Sequence, residues 1–417
     1  MIAASRRRLP PALGLLALLA LIAASCSPES DSEGPQGTTP APTVSTTEAP
    51  VEEPPPASEG IFDDSVLFGQ SAAFSGPAQE LGRNMRLGIE AAFAEANRNG
   101  GVHGRLLDLT SMDDAYEPEA AVTNTQHLID SDGVFALIGE VGTPTSRSAT
   151  PIAAAAQVPF IAPFTGAGFL RDPAWSNIIN LRASYNQETE EIVARLLADR
   201  GVERIAVMFQ DDSFGRAGYR GVLQALDRRE MEPVAIGLYP RNTLAVRTAL
   251  LDLQQGNPDA VVLVGAYQPV ASLIKWARFL GEDWIFVTIS FVGSNALAQE
   301  LGPVGDGVFV TQVVPFPTDD SLPVVASYLR ALEAHDPTAV PGFVSLEGYL
   351  AGRMAIVGLE RCGRSLTRTC FLGEILRGEP VDIDGFELNF AGDDNQGSDT
   401  VFLTVIRDGR YVSTGSM

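Results

Sequence analysis

The chain has 417 residues and carries 52 Asp and Glu against 29 Lys and Arg, a formal net charge of −23. So acidic a balance excludes nucleic-acid binding and adhesion to anionic lipid as principal activities. At about 150 residues per domain, the length allows two cores.

The first residues read as an export signal. Arg6, Arg7 and Arg8 form a positive region, and Leu13 to Ala24 form an apolar one too short for a membrane span. Ala23-Ala24-Ser25-Cys26 resembles a bacterial lipobox, with Ala23 where Leu or Val is commoner. The expectation is a lipoprotein signal peptide over residues 1–25 and a lipid on Cys26; Ser5 to Leu9 also partly resembles a twin-arginine signal. Residues 26–60 are rich in Pro, Ser, Thr and Glu, which predicts a disordered tether, since little apolar surface is there to offset the entropy of ordering. Apart from Cys26, only Cys362 and Cys370 remain, flanking a short polar turn, and an exported chain with such a pair predicts a local disulfide.

From Ile61 onward, strand-like and helical segments alternate. Val66 to Gly69 predicts a strand. Gln79 to Arg98 predicts a helix whose apolar face runs through Leu81, Met85, Ile89 and Phe93, ended by Asn99-Gly100-Gly101. A strand at Leu106 to Thr110, a helix at Pro118 to Ile129 and a strand at Val134 to Ile138 follow. A helix from Thr145 to Ala156 and a strand at Phe160 to Ala162 complete the first set. The second set begins after Ile178 to Leu181. It has helices at 187–200, 215–228, 246–255 and 270–280, and strands at 205–209, 234–237, 260–264 and 285–289. Residues 321–377 then supply helices only and 386–412 strands only, with hairpin turns at Asp393 to Gly397 and Asp408-Gly409. This pattern predicts an α/β fold of two doubly wound lobes joined by a hinge of several crossings, near Arg182, Gln312 to Phe316 and Val381 to Gly385. Lobe 1 is expected over 61–183 plus 315–383, and lobe 2 over 184–314 plus 384–417.

The most informative stretch is Gly139-Glu140-Val141-Gly142-Thr143-Pro144-Thr145-Ser146, followed by Pro163-Phe164-Thr165-Gly166-Ala167. Both segments are turns at the ends of buried strands, where doubly wound sheets bind ligands. Thr143, Thr145, Ser146 and Thr165 would place hydroxyls there, and a helix N-terminus suits an anion. The same hydroxyls could cap the helix, and both roles are expected together. Asp211 and Asp212 read as a helix cap. The chain has 3 histidines, His103, His127 and His335, none near a nucleophile or in metal-ligand spacing. No P-loop or Gly-x-Ser-x-Gly is present, so binding is expected rather than catalysis, with no cofactor and no metal.

Taken in order, these segments resemble the periplasmic-binding-protein superfamily of the leucine/isoleucine/valine-binding type, the solute-binding subunits of ABC transporters. The resemblance rests on Phe74 to Pro77, Asn97 to Gly101, Asp113-Asp114, the Gly139 segment and Pro163 to Thr165. Further along it rests on Arg182 to Tyr185, Gln210 to Gly215 and Phe386 to Asp399. It implies a hinged cleft, an extracytoplasmic location and ABC permease subunits as partners. It also implies a ligand held by Thr143 and by the turn of Phe164, Thr165 and Ala167, and covered by Phe214 and Tyr267. Ser290 stands where such proteins carry an acid for an α-amino group, and Arg182 is a second candidate contact. Amino acids of the branched-chain type are the implied default, with a related carboxylate or amide beside them. Two other readings remain open at this point: a sensor feeding a membrane receptor, and a cell-surface hydrolase.

Overall fold

In the computed structural model, residues 59–377, 379–390 and 394–417 are described. The signal segment, Cys26 and the tether up to residue 58 lie outside them, as does Asp393.

The first sheet is built from β1 (Ser65–Ala72), β2 (Leu106–Asp113), β3 (Ala136–Ile138), β4 (Phe160–Ile161) and β5 (Ile178–Ile179), in the order β2-β1-β3-β4-β5. Each pairing is parallel. Its crossovers are α1 (Gln79–Arg98), α2 (Pro118–Asp130) and α3 (Thr143–Ala155). Helices cover both faces of such a sheet, so β3, Ala-Leu-Ile, is buried throughout.

The second set follows α4 (Tyr185–Arg200), which opens with a Ser184–Gln187 capping box and closes on Gly201 in the left-handed region. It comprises β6 (Ile205–Gln210), α5 (Ser213–Asp227), β7 (Ile236–Tyr239), α6 (Arg247–Gln255), β8 (Ala260–Val264) and α7 (Tyr267–Phe279). Then come β9 (Ile285–Thr288), α8 (Ser294–Leu301) and β10 (Phe309–Gln312). These five strands repeat the winding of the first sheet, β7-β6-β8-β9-β10. In both sheets the order reverses beside the first strand, at β1/β3 and at β6/β8, and a crevice opens outside the carboxyl ends there.

The rest of the chain completes both halves. After α9 (Pro323–His335), α10 (Phe343–Cys362) and α11 (Arg368–Leu376), β11 (Val381–Ile383) and β12 (Phe386–Leu388) pair as a small antiparallel ladder. β13 (Phe402–Arg407) and β14 (Arg410–Ser413) then extend the second sheet antiparallel, past β10. α10 lies directly on α1. A Cβ on Gly88 would come within 1.9 Å of the Ser345 carbonyl oxygen, and one on Gly348 within 2.2 Å of that of Met85, so only glycine lets the two backbones touch. Cys362, ending α10, is disulfide-bonded to Cys370 in α11.

Three sequence expectations need correction. α8 and β10 were not foreseen; both are short, and the apolar run around β10 reads as part of a crossing. β12 was expected in the second sheet but pairs with β11 instead, because the turn at Asp384-Gly385 folds it straight back. Asp394 to Gly397 form no hairpin turn: Asn180 donates to the Asn395 carbonyl and accepts from the Gly397 N–H, binding that loop to the strand end after β5. Among the described residues no helix is long and apolar enough to cross a membrane.

Candidate functional site

The turns at the two crevices meet. Gly142 precedes α3 at φ 109°, and a Cβ there would strike the Tyr116 ring at 2.2 Å, so this tight entry requires glycine. The turn aims Thr143 at the next strand end, where its hydroxyl lies 2.6 Å from that of Thr165. Thr165 donates onward to the Tyr185 hydroxyl at 3.2 Å and accepts the Ala167 N–H at 3.2 Å. All three side chains are buried. Burial pushes the Tyr185 hydroxyl up to about 12, so it stays protonated and able to donate.

Aromatic rings close over this hydroxyl chain. Phe164 lies 5.4 Å from Phe291 between ring centroids, Phe291 lies 4.4 Å from Phe214, and Phe214 lies 5.7 Å from Tyr185. Tyr116, from the first lobe, reaches Phe291 at 6.1 Å. Offset and tilted contacts of this kind are the favoured ones for aromatic pairs. Asp212 sets Phe214 in place as the cap of α5, its carboxylate accepting the Phe214 and Gly215 N–H groups at 2.9 and 3.2 Å.

Arg182 stands behind the rings, its guanidinium 5.0 Å from the centre of Phe164. It bonds Ser290 and, at 3.2 Å, Glu188 of α4; Glu347 of α10 lies 3.5 Å away. The Ser290 N–H and hydroxyl both donate to Glu188, at 2.8 and 2.9 Å, and Thr311 adds a third bond at 2.6 Å. Burial works against the Arg182 charge, but Glu347 and Glu188 hold it above its ordinary range. Burial likewise raises Glu347, against the pull of Arg182, to about 7.

The structure thus gathers Thr143, Phe164, Thr165, Ala167, Phe214, Arg182 and Ser290 into one continuous cluster. Tyr267 does not touch it: it opens α7 just beyond β8 and packs in the second core cluster, with its ring near Gly293, which also abuts Leu81 of α1. Helix capping by Thr143, Thr145 and Ser146 does not occur, since the cap position of α3 is Gly142 and no side chain bonds there. The Thr145 hydroxyl turns back to the Val141 carbonyl at 2.6 Å, and the buried Ser146 hydroxyl has no partner. Phe291, Tyr116, Tyr185, Glu188 and Glu347 belong to the cluster but were not singled out from sequence. Phe291 did carry a readable signal, an aromatic in a turn two residues before a glycine.

The lobes also touch at the lip of the cleft. Arg241 and Asn242, after β7, both bond the Glu117 carboxylate at 2.7 Å, just before α2. Among the described residues no group of His, Cys, Asp and Glu is placed to hold a metal ion.

Comparison with known proteins agrees with this architecture. The model of a family described as periplasmic binding protein matches residues 65–410. The crystal structure of a possible leucine/isoleucine/valine-binding protein from Rhodopirellula baltica SH 1 superposes with a TM-score of 0.81 at 38% identity, over 84% of this chain and 96% of that one. A substrate-binding periplasmic protein from Ralstonia solanacearum gives 0.79 at 26% identity, over 84% and 100%. The Leu/Ile/Val/Thr-binding protein of Salmonella typhimurium is 22% identical over 334 residues, 78% of this chain and 90% of its own length. With two doubly wound lobes and relatives that bind solutes, the chain belongs to the periplasmic binding protein family, among the leucine/isoleucine/valine-binding type.

Proposed function

We propose that this chain is the extracytoplasmic solute-binding subunit of an ABC importer, closing its lobes on a small organic solute and delivering it to permease subunits in the membrane. The observation that carries this reading is the meeting of the two crevices: the Thr143–Thr165 hydroxyl pair of one sheet is covered by Phe214 and Phe291 of the other. Hinge closure around a ligand is the standard use of such an arrangement.

In this reading Thr143, Thr165 and the Ala167 N–H hold the solute's polar end, and Phe164 and Phe214 cover its body. Arg182 and Ser290 line the far side, and Tyr267 stands at the rim. Amino acids of the branched-chain type, for which the Salmonella typhimurium relative is named, come first among candidate solutes, with related carboxylates and amides beside them. No catalytic step and no cofactor is assigned. Lobe 1 comprises residues 61–183 plus 315–383, and lobe 2 comprises 184–314 plus 384–417. Residues 1–25 serve as signal peptide, Cys26 carries the lipid, and 26–60 tether the body to the membrane.

The test is a thermal-shift screen on protein stripped of solute by unfolding and refolding. Its panel holds amino acids, short carboxylates, amides and aromatic acids. A solute at ~100 times its dissociation constant adds about 2.7 kcal/mol to stability. No shift with any member of the panel would sink the reading.

A further inference from the structure

The crossings of the chain lie off-centre between the lobes. At the lip, Glu117 meets Arg241 and Asn242 beyond β2 and β7, which are edge strands of their sheets. The chain crosses toward the opposite edges: after β5 through Arg182, and after β10 through Gln312 to Phe316. Phe402, the first residue of β13, pairs with Gln312, the last of β10. β14 lies outboard of both strands, at the far edge of the second sheet.

Behind the crossings is a recess of about 470 Å³. Phe316 and Leu322 stand on one wall, along the path from β10 into α9, and Phe402, Val412 and Ser413 stand on the other. The first wall belongs to lobe 1, since the Phe316 ring packs edge-on against Phe343 of α10 at 5.5 Å between centroids. Tyr411 of β14 reaches the same Phe343 at 6.1 Å. Both walls carry apolar surface that water still reaches: Leu322 is 37% exposed, and Phe316, Phe402 and Val412 are half-buried.

The structure has its lip shut and this recess open. A rotation that parts the lobes at the lip brings together the surfaces on the far side of the crossings. Opening therefore narrows the recess and takes apolar surface out of water, a gain proportional to the area covered. Solute-free protein is thereby biased toward the open form. A solute that binds the closed form is weakened by the same factor, because only the closed fraction is competent.

We infer, resting on the solute-binding reading above, that the recess behind the hinge sets the affinity for solute from outside the site. Leu322, Phe402 and Val412 are positioning residues: they touch no solute and act by favouring the open lobes.

The experiment uses two variants that change the recess in opposite ways. Leu322→Ala removes apolar surface that opening covers. Ser413→Trp, at an exposed position of the edge strand, adds a ring that keeps the walls apart. Despite their opposite volumes, both should shift the solute-stripped full chain toward the closed form. Small-angle scattering should give each a smaller radius of gyration than the stripped parent. Leucine, titrated by calorimetry as the probe, should bind both at least threefold more tightly than the parent; if it binds none of the three proteins, the scattering decides alone. A mere packing defect lowers the melting temperature and leaves the radius where it was. Variants as open as the parent, or moving in opposite directions, overturn the inference and leave the solute-binding reading intact. That reading falls separately, if no solute of the thermal-shift panel binds the parent.

Discussion

Phe164 and Phe291 hold their ring centroids 5.4 Å apart, although one follows a strand of the first sheet and the other a strand of the second. Nothing large passes between rings in contact, so a solute enters only when the lobes part. Solute-stripped protein should therefore be more open than saturated protein, and small-angle scattering should record a smaller radius of gyration on saturation. An unchanged radius would count against the hinge.

Thr143→Val combined with Thr165→Val should abolish measurable binding and lower the melting temperature by several degrees without unfolding the protein. The hydroxyl pair is replaced on both sides, but the Tyr185 hydroxyl and the Ala167 N–H lose their Thr165 partner, at about 1–3 kcal/mol each. A solute carboxylate, in contrast, loses two charge-assisted bonds of ~1.5–3 kcal/mol each, a hundredfold or more in affinity. Calorimetry on the double variant decides it, and retained affinity removes this pair from the site.

Arg241 and Asn242 grip Glu117 at the lip of the cleft and exist as a contact only when the lobes are shut. Glu117→Gln should weaken solute binding about fivefold, the effect of ~1 kcal/mol lost from the closed state alone. Titration in low and high salt provides a control, because the difference between variant and parent should shrink as salt screens the pair.

Burial raises Asp114 from 3.8 to about 7, burial raises Glu347 from 4.5 to about 7, and Glu140 is raised as well. A carboxyl raised on folding favours the folded state while it keeps its proton, and that advantage is lost as pH rises through the folded value. The protein should therefore be more stable at pH 5 than at pH 8. Glu140→Gln should raise stability at pH 8 by about 1 kcal/mol or more and flatten the slope. Urea melts at the two pH values test both points, and a variant less stable at pH 8 contradicts them.

The Cys362–Cys370 bond closes a loop with a sequence separation of 8. Replacing both cysteines by alanine should cost about 2–3 kcal/mol, the loop-closure entropy returned to the unfolded chain. The comparison to make is the melting temperature of parent and variant with and without reductant; only the parent should respond.

What the sequence made legible was local. The apolar face of α1 repeats every third or fourth residue, and Ala260 to Val264 is an uninterrupted apolar run rich in valine, so helix and strand could be read without a partner. The Thr143 and Thr165 turns were legible because Gly, Pro and hydroxyl residues mark a strand end. Arg182 was legible as a candidate contact but its partners were not, since they are Glu347, far downstream in α10, and Ser290, beyond β9. The short elements α8 and β10 escaped for a related reason: eight helical or four strand residues hold only about two periods, too few to stand out without their neighbours.

The contact of Gly88 with α10 sets a timetable for synthesis. α1 leaves the ribosome early, yet the helix that covers it begins only at Phe343. At ordinary rates of translation the gap lasts roughly 10–50 s. Throughout that interval the face of α1 that carries Gly88 and Ala92 has no surface to rest on. The first lobe, though encoded first, can be finished only near the end of elongation. A nascent chain in that state is still unfolded enough to be threaded through a narrow channel and vulnerable to sticking if it is not.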